Sequence, residues 1–237
     1  MFTPEEKRFF LEQGYLVVPN IIEGEHLQRV QDAFDTAWAN EGAPCNQHKL
    51  LKYGVFRDLI EHPPILDRHK AIFGNQVQLL QYDLLRQAPG SKFPERMWHR
   101  DFVFPGDRPL SINTILFIDD ITEEKGPTRV VPRSHMGEQL PPSDRKNVPL
   151  EGEIAVEVPA GSAIFINSAI WHSGARNRSE TGLRRGIYLY FGYWWLKRYE
   201  MNQSFPWQAY ENASEQRLQL LGIRMPDRDV HMYDPEK

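Results

Sequence analysis

His99 and Asp101 stand two residues apart in Met97-Trp98-His99-Arg100-Asp101-Phe102. In an extended strand, residues two apart point to the same face, so this imidazole and this carboxylate can both reach one metal ion. The pair alone is a weak signal. Eight histidines in a chain of 237 residues with 32 acidic ones yield about one His-x-Asp/Glu by chance, and this is the only one present. Context strengthens it. His172 closes an apolar run that follows the turn signal Pro159-Ala160-Gly161, and Arg184 stands twelve residues later, at the start of the next run. Two imidazoles and one carboxylate occupy one face of an octahedron, a set that suits non-haem Fe(II). It leaves three positions for a bidentate co-substrate and dioxygen (O2). A permanently charged, planar guanidinium then suits the far carboxylate of a dicarboxylate such as 2-oxoglutarate.

The rest of the composition narrows the alternatives. With one cysteine, Cys45, there is no disulfide framework and no cysteine-ligated zinc or iron–sulfur centre within one chain, so a metal must use His and carboxylate. The net charge of −4 and the lack of a Lys/Arg-rich block argue against nucleic acid and anionic membrane as partners. A small-molecule substrate is expected instead, and the oligomeric state is left open. MFTPEEKRFF carries acids and Pro4 where a signal peptide needs a basic start and an apolar run, and no apolar stretch approaches about 18 residues. A soluble, cytoplasmic protein is the expectation.

The elements that must position these residues are legible in outline. Thr3 three residues before Glu6 forms a capping-box pattern, and Gly14 is a stop signal, so a short helix opens the chain. Tyr15-Leu16-Val17-Val18 reads as a strand, and Leu27, Val30, Ala33, Phe34, Ala37 and Trp38 recur at helical spacing. The stretch from Gly42 to Gly54 is ambiguous. From Val77 the texture changes to short runs divided by Gly/Pro turns: Val77–Leu85, Met97–Phe104, Leu110–Ile118, Arg129–Val131, Ile154–Val158, Ala163–Trp171 and Ile187–Phe191. A further helix is expected from about Ala213 to Leu221. The expected architecture is one mainly β domain with flanking α-helices: N-terminal helices over 1–76, a core over about 77–195 and a C-terminal extension over 196–237. A chain of this length should bury about 70–75% of its unfolded surface.

Four segments carry a resemblance to a known family. TPEEKRFFLEQGYLVVPN is similar to the opening helix and strand of the phytanoyl-CoA dioxygenase family of Fe(II)/2-oxoglutarate oxygenases. YDLLRQAPGS…WHRDF resembles the strand leading into its His-x-Asp pair, GPTRVVPRSH its glycine-to-PGSH segment, and NSAIWHSGARNRSETGLRRGIYLYFG its distal histidine and arginine block. The resemblance implies a double-stranded β-helix (a cupin-like jelly-roll) with iron ligands at His99, Asp101 and His172 and a 2-oxoglutarate clamp at Arg184. It also implies a hydroxylase that couples oxidation of a substrate C–H bond to conversion of 2-oxoglutarate and O2 into succinate and carbon dioxide. Arg133 stands where the family usually has Gly. The loop after His172 is one residue longer than in the best-known members, which leaves Arg185 as a fallback clamp. Gly182-Leu183-Arg184 matches the family's Gly-apolar-Arg, and alternation puts Arg184, Gly186, Tyr188 and Tyr190 on one face, with Arg185, Ile187, Leu189 and Phe191 on the other. Halogenating relatives have lost the carboxylate that Asp101 retains, which favours hydroxylation.

Tyr82, Arg86 and Gln87 on the preceding strand, and Asn113 on the following one, are further candidates for contact with the co-substrate. His135 is read as structural, and His26, His48, His62, His69 and His231 carry no strong case. Trp98 and Trp171 are read as wedges between the ligand strands and an outer layer. Tyr193, Trp194, Trp195, Tyr199 and Trp207 are read first as core and second as a cover over the cavity mouth. Two rival readings use the same residues: a jelly-roll hydrolase or isomerase with Zn or Mn, and a non-catalytic binding jelly-roll. The substrate is not specified by the sequence; a small, partly apolar molecule, as in natural-product tailoring, fits best.

Overall fold

A computed structural model describes residues 2–102, 104, 106–142, 147–196 and 204–226. The first helix, α1 (Pro4–Gln13), begins as its cap dictates. The Thr3 hydroxyl accepts the Glu6 N–H at 3.1 Å, the Glu6 carboxylate accepts the Thr3 N–H at 2.9 Å, and Gly14 ends the helix at φ 84°. Strand β1 (Tyr15–Val18) follows, then α2 (Gly24–Glu41), which buries Val30, Phe34 and Ala37 along one stripe. The ambiguous stretch holds β2 (Cys45–Asn46) and α3 (Gln47–Leu50), and α4 (Gly54–Ile60) and α5 (Pro63–Phe73) complete the helical layer.

The β core comprises β3 (Val77–Gln87), β4 (Ser111–Phe117), β5 (Thr128–Val131), β6 (Ile154–Val156), β7 (Ser162–Asn167), β8 (Trp171–Ser173) and β9 (Arg184–Tyr193). One sheet has six strands in the order β1-β7-β4-β9-β3-β2, and a second has three in the order β6-β5-β8. All pairings are antiparallel. The large sheet has two apolar faces. Outward, Phe165, Leu116, Ile187, Leu189 and Phe191 pack against Phe10, Phe34, Ile65 and Phe73 of the helices. Inward, Ile115, Phe117, Ile164 and Ile166 meet Val130 and Val156 of the small sheet. The result is a double-stranded β-helix, a jelly-roll of two facing sheets without a closed barrel, covered by helices on one side. Its C-terminal helix, α6 (Glu215–Leu220), lies within the expected span.

Three expectations need correction. Among its described residues Met97–Phe104 forms no strand, and their one ladder contact is an isolated antiparallel bridge between His99 and His172. Ala163–Trp171 is broken after Asn167, whose side-chain oxygen accepts the Ala169 N–H at 3.0 Å and turns the chain before β8. The C-terminal aromatics are not mainly core. Trp195 is 50% and Trp207 65% exposed, while Tyr193 packs edge-on against Phe73 and stacks on Trp195. Tyr199 and His231 lie outside the described residues. Among the described residues no helix is long and apolar enough to cross a membrane.

Candidate metal centre

His172 is carried by the short edge strand β8, and the loop bearing His99 docks on that edge through two backbone bonds. The His99 N–H donates to the His172 carbonyl at 3.0 Å, and the His172 N–H donates back at 3.1 Å. Two residues on, the Asp101 and Phe102 N–H groups both donate to the Ser168 carbonyl, at 2.9 and 3.0 Å. Backbone pairing thus does what the expected strand would have done and turns His99 and Asp101 the same way.

One ligand atom from each of His99, Asp101 and His172 lies within 4.8 Å of the others, and Asp101 Oδ1 is 3.6 Å from both Nε2 atoms. Each imidazole is oriented through its other nitrogen. His99 Nδ1 lies 2.8 Å from the Met97 carbonyl and His172 Nδ1 3.1 Å from the Ile170 carbonyl. A carbonyl only accepts, so Nδ1 carries the proton and both Nε2 lone pairs face the shared space. Burial holds the His172 imidazole below its ordinary pKa, against the pull of the Asp101 charge and with help from His99. Asp101 Oδ2 is buried without a hydrogen-bond partner. Two free imidazole nitrogens and an unsatisfied carboxylate oxygen are a donor set that a divalent cation completes.

Arg184 opens β9 and is only 1% exposed. Its Nε donates to the Gly126 carbonyl at 2.8 Å and its guanidinium carbon lies 5.7 Å from the centre of the Phe117 ring, whereas Nη1 and Nη2 are buried with no partner. Two parallel donors without an acceptor are the complement of a carboxylate. Thr128, two residues beyond Gly126, also has a buried, unpartnered hydroxyl. The sequence reading missed Gly126, Phe117 and Thr128. The first and last lie in the segment read through its resemblance to the family's glycine-to-PGSH stretch, just before the run from Arg129, and what they meet is visible only once the chain is folded.

The other candidates divide by face. A cavity of about 380 Å³ is lined by Pro44, Cys45, Gln81, Asp83, Leu85, Asp101, Asn113, Tyr188 and Tyr190. Asn113 belongs to it, 8% exposed and with Oδ1 unpartnered. Tyr82 points to the helical layer, where its hydroxyl donates to the Phe56 carbonyl at 3.3 Å, and exposed Arg86 shares that outer face. A β-bulge between Leu79 and Gln81 shifts the phase of β3, so that Gln81, Asp83 and Leu85 look inward and Tyr82 and Arg86 do not. Gln87 looks inward but holds the loop before β9, accepting the Asn177 N–H at 2.9 Å and donating to the Ala175 carbonyl at 3.3 Å. His135 is structural: Nε2 bonds to the Leu11 carbonyl at 3.0 Å, and the ring fills the space over Gly14. Trp98 and Trp171 act through their indole N–H groups, on the Val148 and Gln139 carbonyls.

Known proteins resemble this chain in sequence and in fold. The dioxygenase andF of Emericella variicolor is 27% identical across 94% of this chain and 86% of its own. The L-proline trans-4-hydroxylase of Streptomyces griseoviridis is 27% identical across 51% of this chain and 57% of its own. Among solved structures, HygX from Streptomyces hygroscopicus with nickel and 2-oxoglutarate bound superposes with a TM-score of 0.70 at 18% identity, covering 84% of this chain and 90% of that one. The carbocyclase SnoK from nogalamycin biosynthesis gives 0.65 at 19%, covering 81% and 84%. Fold and relatives define a non-haem Fe(II)/2-oxoglutarate-dependent dioxygenase of jelly-roll build. The family profile for phytanoyl-CoA dioxygenase (PhyH) matches residues 10–186, and the chain belongs to that family.

Proposed function

We propose that His99, Asp101 and His172 hold the Fe(II) and Arg184 anchors the distal carboxylate of 2-oxoglutarate, so that the enzyme hydroxylates a C–H bond of a small molecule seated in the cavity beside Asp101. One observation carries this reading: a trio able to hold a metal ion and a buried guanidinium with two unused N–H groups occur in the same fold. When bound, Fe(II) supplies reductive activation of O2, with 2-oxoglutarate as the electron donor that ends as succinate and carbon dioxide.

The chain's own groups do the positioning. The Nδ1 bonds of the two histidines aim their lone pairs, and the Asp101 charge offsets part of the cation's. Arg184 fixes one end of the co-substrate by charge and by paired hydrogen bonds, with Thr128 available as a further donor nearby. The apolar layer around Ile115, Phe117 and Ile164 keeps water from the clamp. Arg185 does not suit the fallback role, because both oxygens of Asp119 and one of Asp35 already hold it. Tyr190 lies six residues beyond Arg184 on the same inward face of β9, about 20 Å along the strand. The cavity wall of Asn113 and Tyr190 therefore belongs to the substrate end rather than to the clamp. Retention of Asp101 leaves no halide position, which supports hydroxylation. A secondary metabolite is the favoured substrate class, in line with the hygromycin B seated in HygX and with the pathway of SnoK.

Anaerobic titration of the metal-free protein with Fe(II) and 2-oxoglutarate tests the reading. A weak visible charge-transfer band should appear, and should vanish in His99→Ala and Asp101→Ala. Its absence from the unaltered protein would overturn the proposal.

A further inference from the structure

The three ligand side chains are not held in the same way. Each histidine ring is fixed by its own Nδ1 bond, but the Asp101 carboxylate has no such anchor, since Oδ2 is buried and unpartnered. Its place is set by its backbone, and the Asp101 and Phe102 N–H groups converge on a single acceptor, the Ser168 carbonyl. Ser168 is in turn fixed on every side. Its N–H and its hydroxyl both donate to the Ser111 carbonyl, at 3.2 and 2.8 Å. Its hydroxyl oxygen lies 2.7 Å from Ser111 Oγ and accepts the Tyr190 hydroxyl at 2.7 Å. Ser111 is 0%, Ser168 2% and Tyr190 6% exposed, so the hydroxyls are buried, and the Ser168 hydroxyl, giving one bond and bonded by two oxygens, is fully used.

We infer that Tyr190 is a positioning residue for the carboxylate ligand, acting through Ser168 on Asp101. Tyr190 also forms the cavity wall, so one hydroxyl chain joins the surface that meets substrate to the ligand that meets metal. Removing the Tyr190 hydroxyl leaves Ser168 Oγ with one hydrogen-bond donor fewer and frees the turn between β7 and β8. The carboxylate then samples positions away from the two Nε2 atoms. Outer groups that orient metal ligands typically change affinity by about 10–100-fold.

The inference rests on the metal role proposed for the trio, and the test separates the two. Mn(II) is the probe, with its dissociation constant read by electron paramagnetic resonance in the absence of 2-oxoglutarate and O2. Unaltered protein should bind and His99→Ala should not; the reverse of either result would overturn the metal reading and this inference with it. Given binding, Tyr190→Phe and Ser168→Ala should each weaken Mn(II) about 10-fold or more. Tyr188→Phe, on the same wall but without a bond to Ser168, should leave the affinity unchanged. Because the hydroxyls act as one unit, the double variant should bind no more weakly than the weaker single one. Melting of the metal-free forms supplies the structural comparison, since a packing role alone would lower the midpoint and leave the Mn(II) constant where it was. Mn(II) affinity equal to wild type in Tyr190→Phe, or effects that multiply in the double variant, would refute the relay. Should one single variant fail to fold, the other tests the same link from its opposite end.

Discussion

Arg184 and Arg185 are neighbours in sequence and opposites in bonding. Arg184 is buried on the inner face of β9 with Nη1 and Nη2 unpaired, whereas Arg185 on the outer face is gripped by Asp119 and Asp35. Substituting them should therefore separate two properties. Arg184→Gln should weaken 2-oxoglutarate binding by about 2–5 kcal/mol, roughly 30-fold or more, while Mn(II) affinity measured alone stays unchanged. Arg185→Gln should cost about 1.5–3 kcal/mol of stability and spare the affinity. Calorimetric titration and denaturant unfolding of both variants check this; equal losses of affinity would refute the assignment of the clamp.

Gly126 supports the proposed clamp. Its φ is +77°, and a Cβ there would lie 2.3 Å from the Arg176 carbonyl oxygen, while its own carbonyl receives Arg184 Nε. Gly126→Ala should lose about 2 kcal/mol or more of stability and, because the clamp shifts with the turn, lower 2-oxoglutarate affinity more than metal affinity. Unfolding midpoints and paired titrations decide it.

Metal removal should be visible as lost stability. At a free metal concentration 100 times the dissociation constant, binding adds about 2.7 kcal/mol to the folded state, or about 5–11 °C in melting temperature for a chain of this size. A chelator should abolish the increment, and Asp101→Ala should not show it at all. An increment that persists in Asp101→Ala would place the ion elsewhere.

His69 makes stability depend on pH. It lies on α5, fully buried against the large sheet, with Nε2 2.9 Å from the Thr114 hydroxyl and its ring against Phe191, and burial lowers its pKa from 6.5 to about 3. Below pH 6.5 the unfolded chain takes up a proton that the folded one refuses, so stability falls as pH falls from 6.5 towards 3. The loss from this group is about 2 kcal/mol by pH 5. Burial lowers His26, His62 and His135 as well, so they act in the same direction. Denaturant unfolding between pH 8 and pH 5 should therefore show a shallower slope for His69→Gln; an identical slope would mean that His69 is protonated in the fold.

The sequence was most informative where one residue type answers one local demand. Thr3, Glu6 and Gly14 marked the ends of α1, and alternation along β9 put Arg184, Tyr188 and Tyr190 on one face. It was least informative where phase or pairing depends on distant partners. The β-bulge beside Leu80 lies within an apolar run, so nothing local showed that Tyr82 and Arg86 would face the helices. His99 and Asp101 were expected on a strand because Met97–Phe104 reads as one of the short β-like runs, yet among the described residues a bridge to His172 and a shared acceptor at Ser168 take the strand's place. Asn167-Ser168, which breaks the run before β8, carried a turn signal that the surrounding isoleucines obscured.

That bridge bears on how the protein trades its ion. The two histidines are joined by backbone hydrogen bonds that need no metal, and their imidazoles are aimed by carbonyls of their own chain. Small domains that fold only around an ion lose their structure with it. In this chain the pairing that places the two histidines is backbone alone, so on the proposed metal role an ion can enter or leave without undoing it.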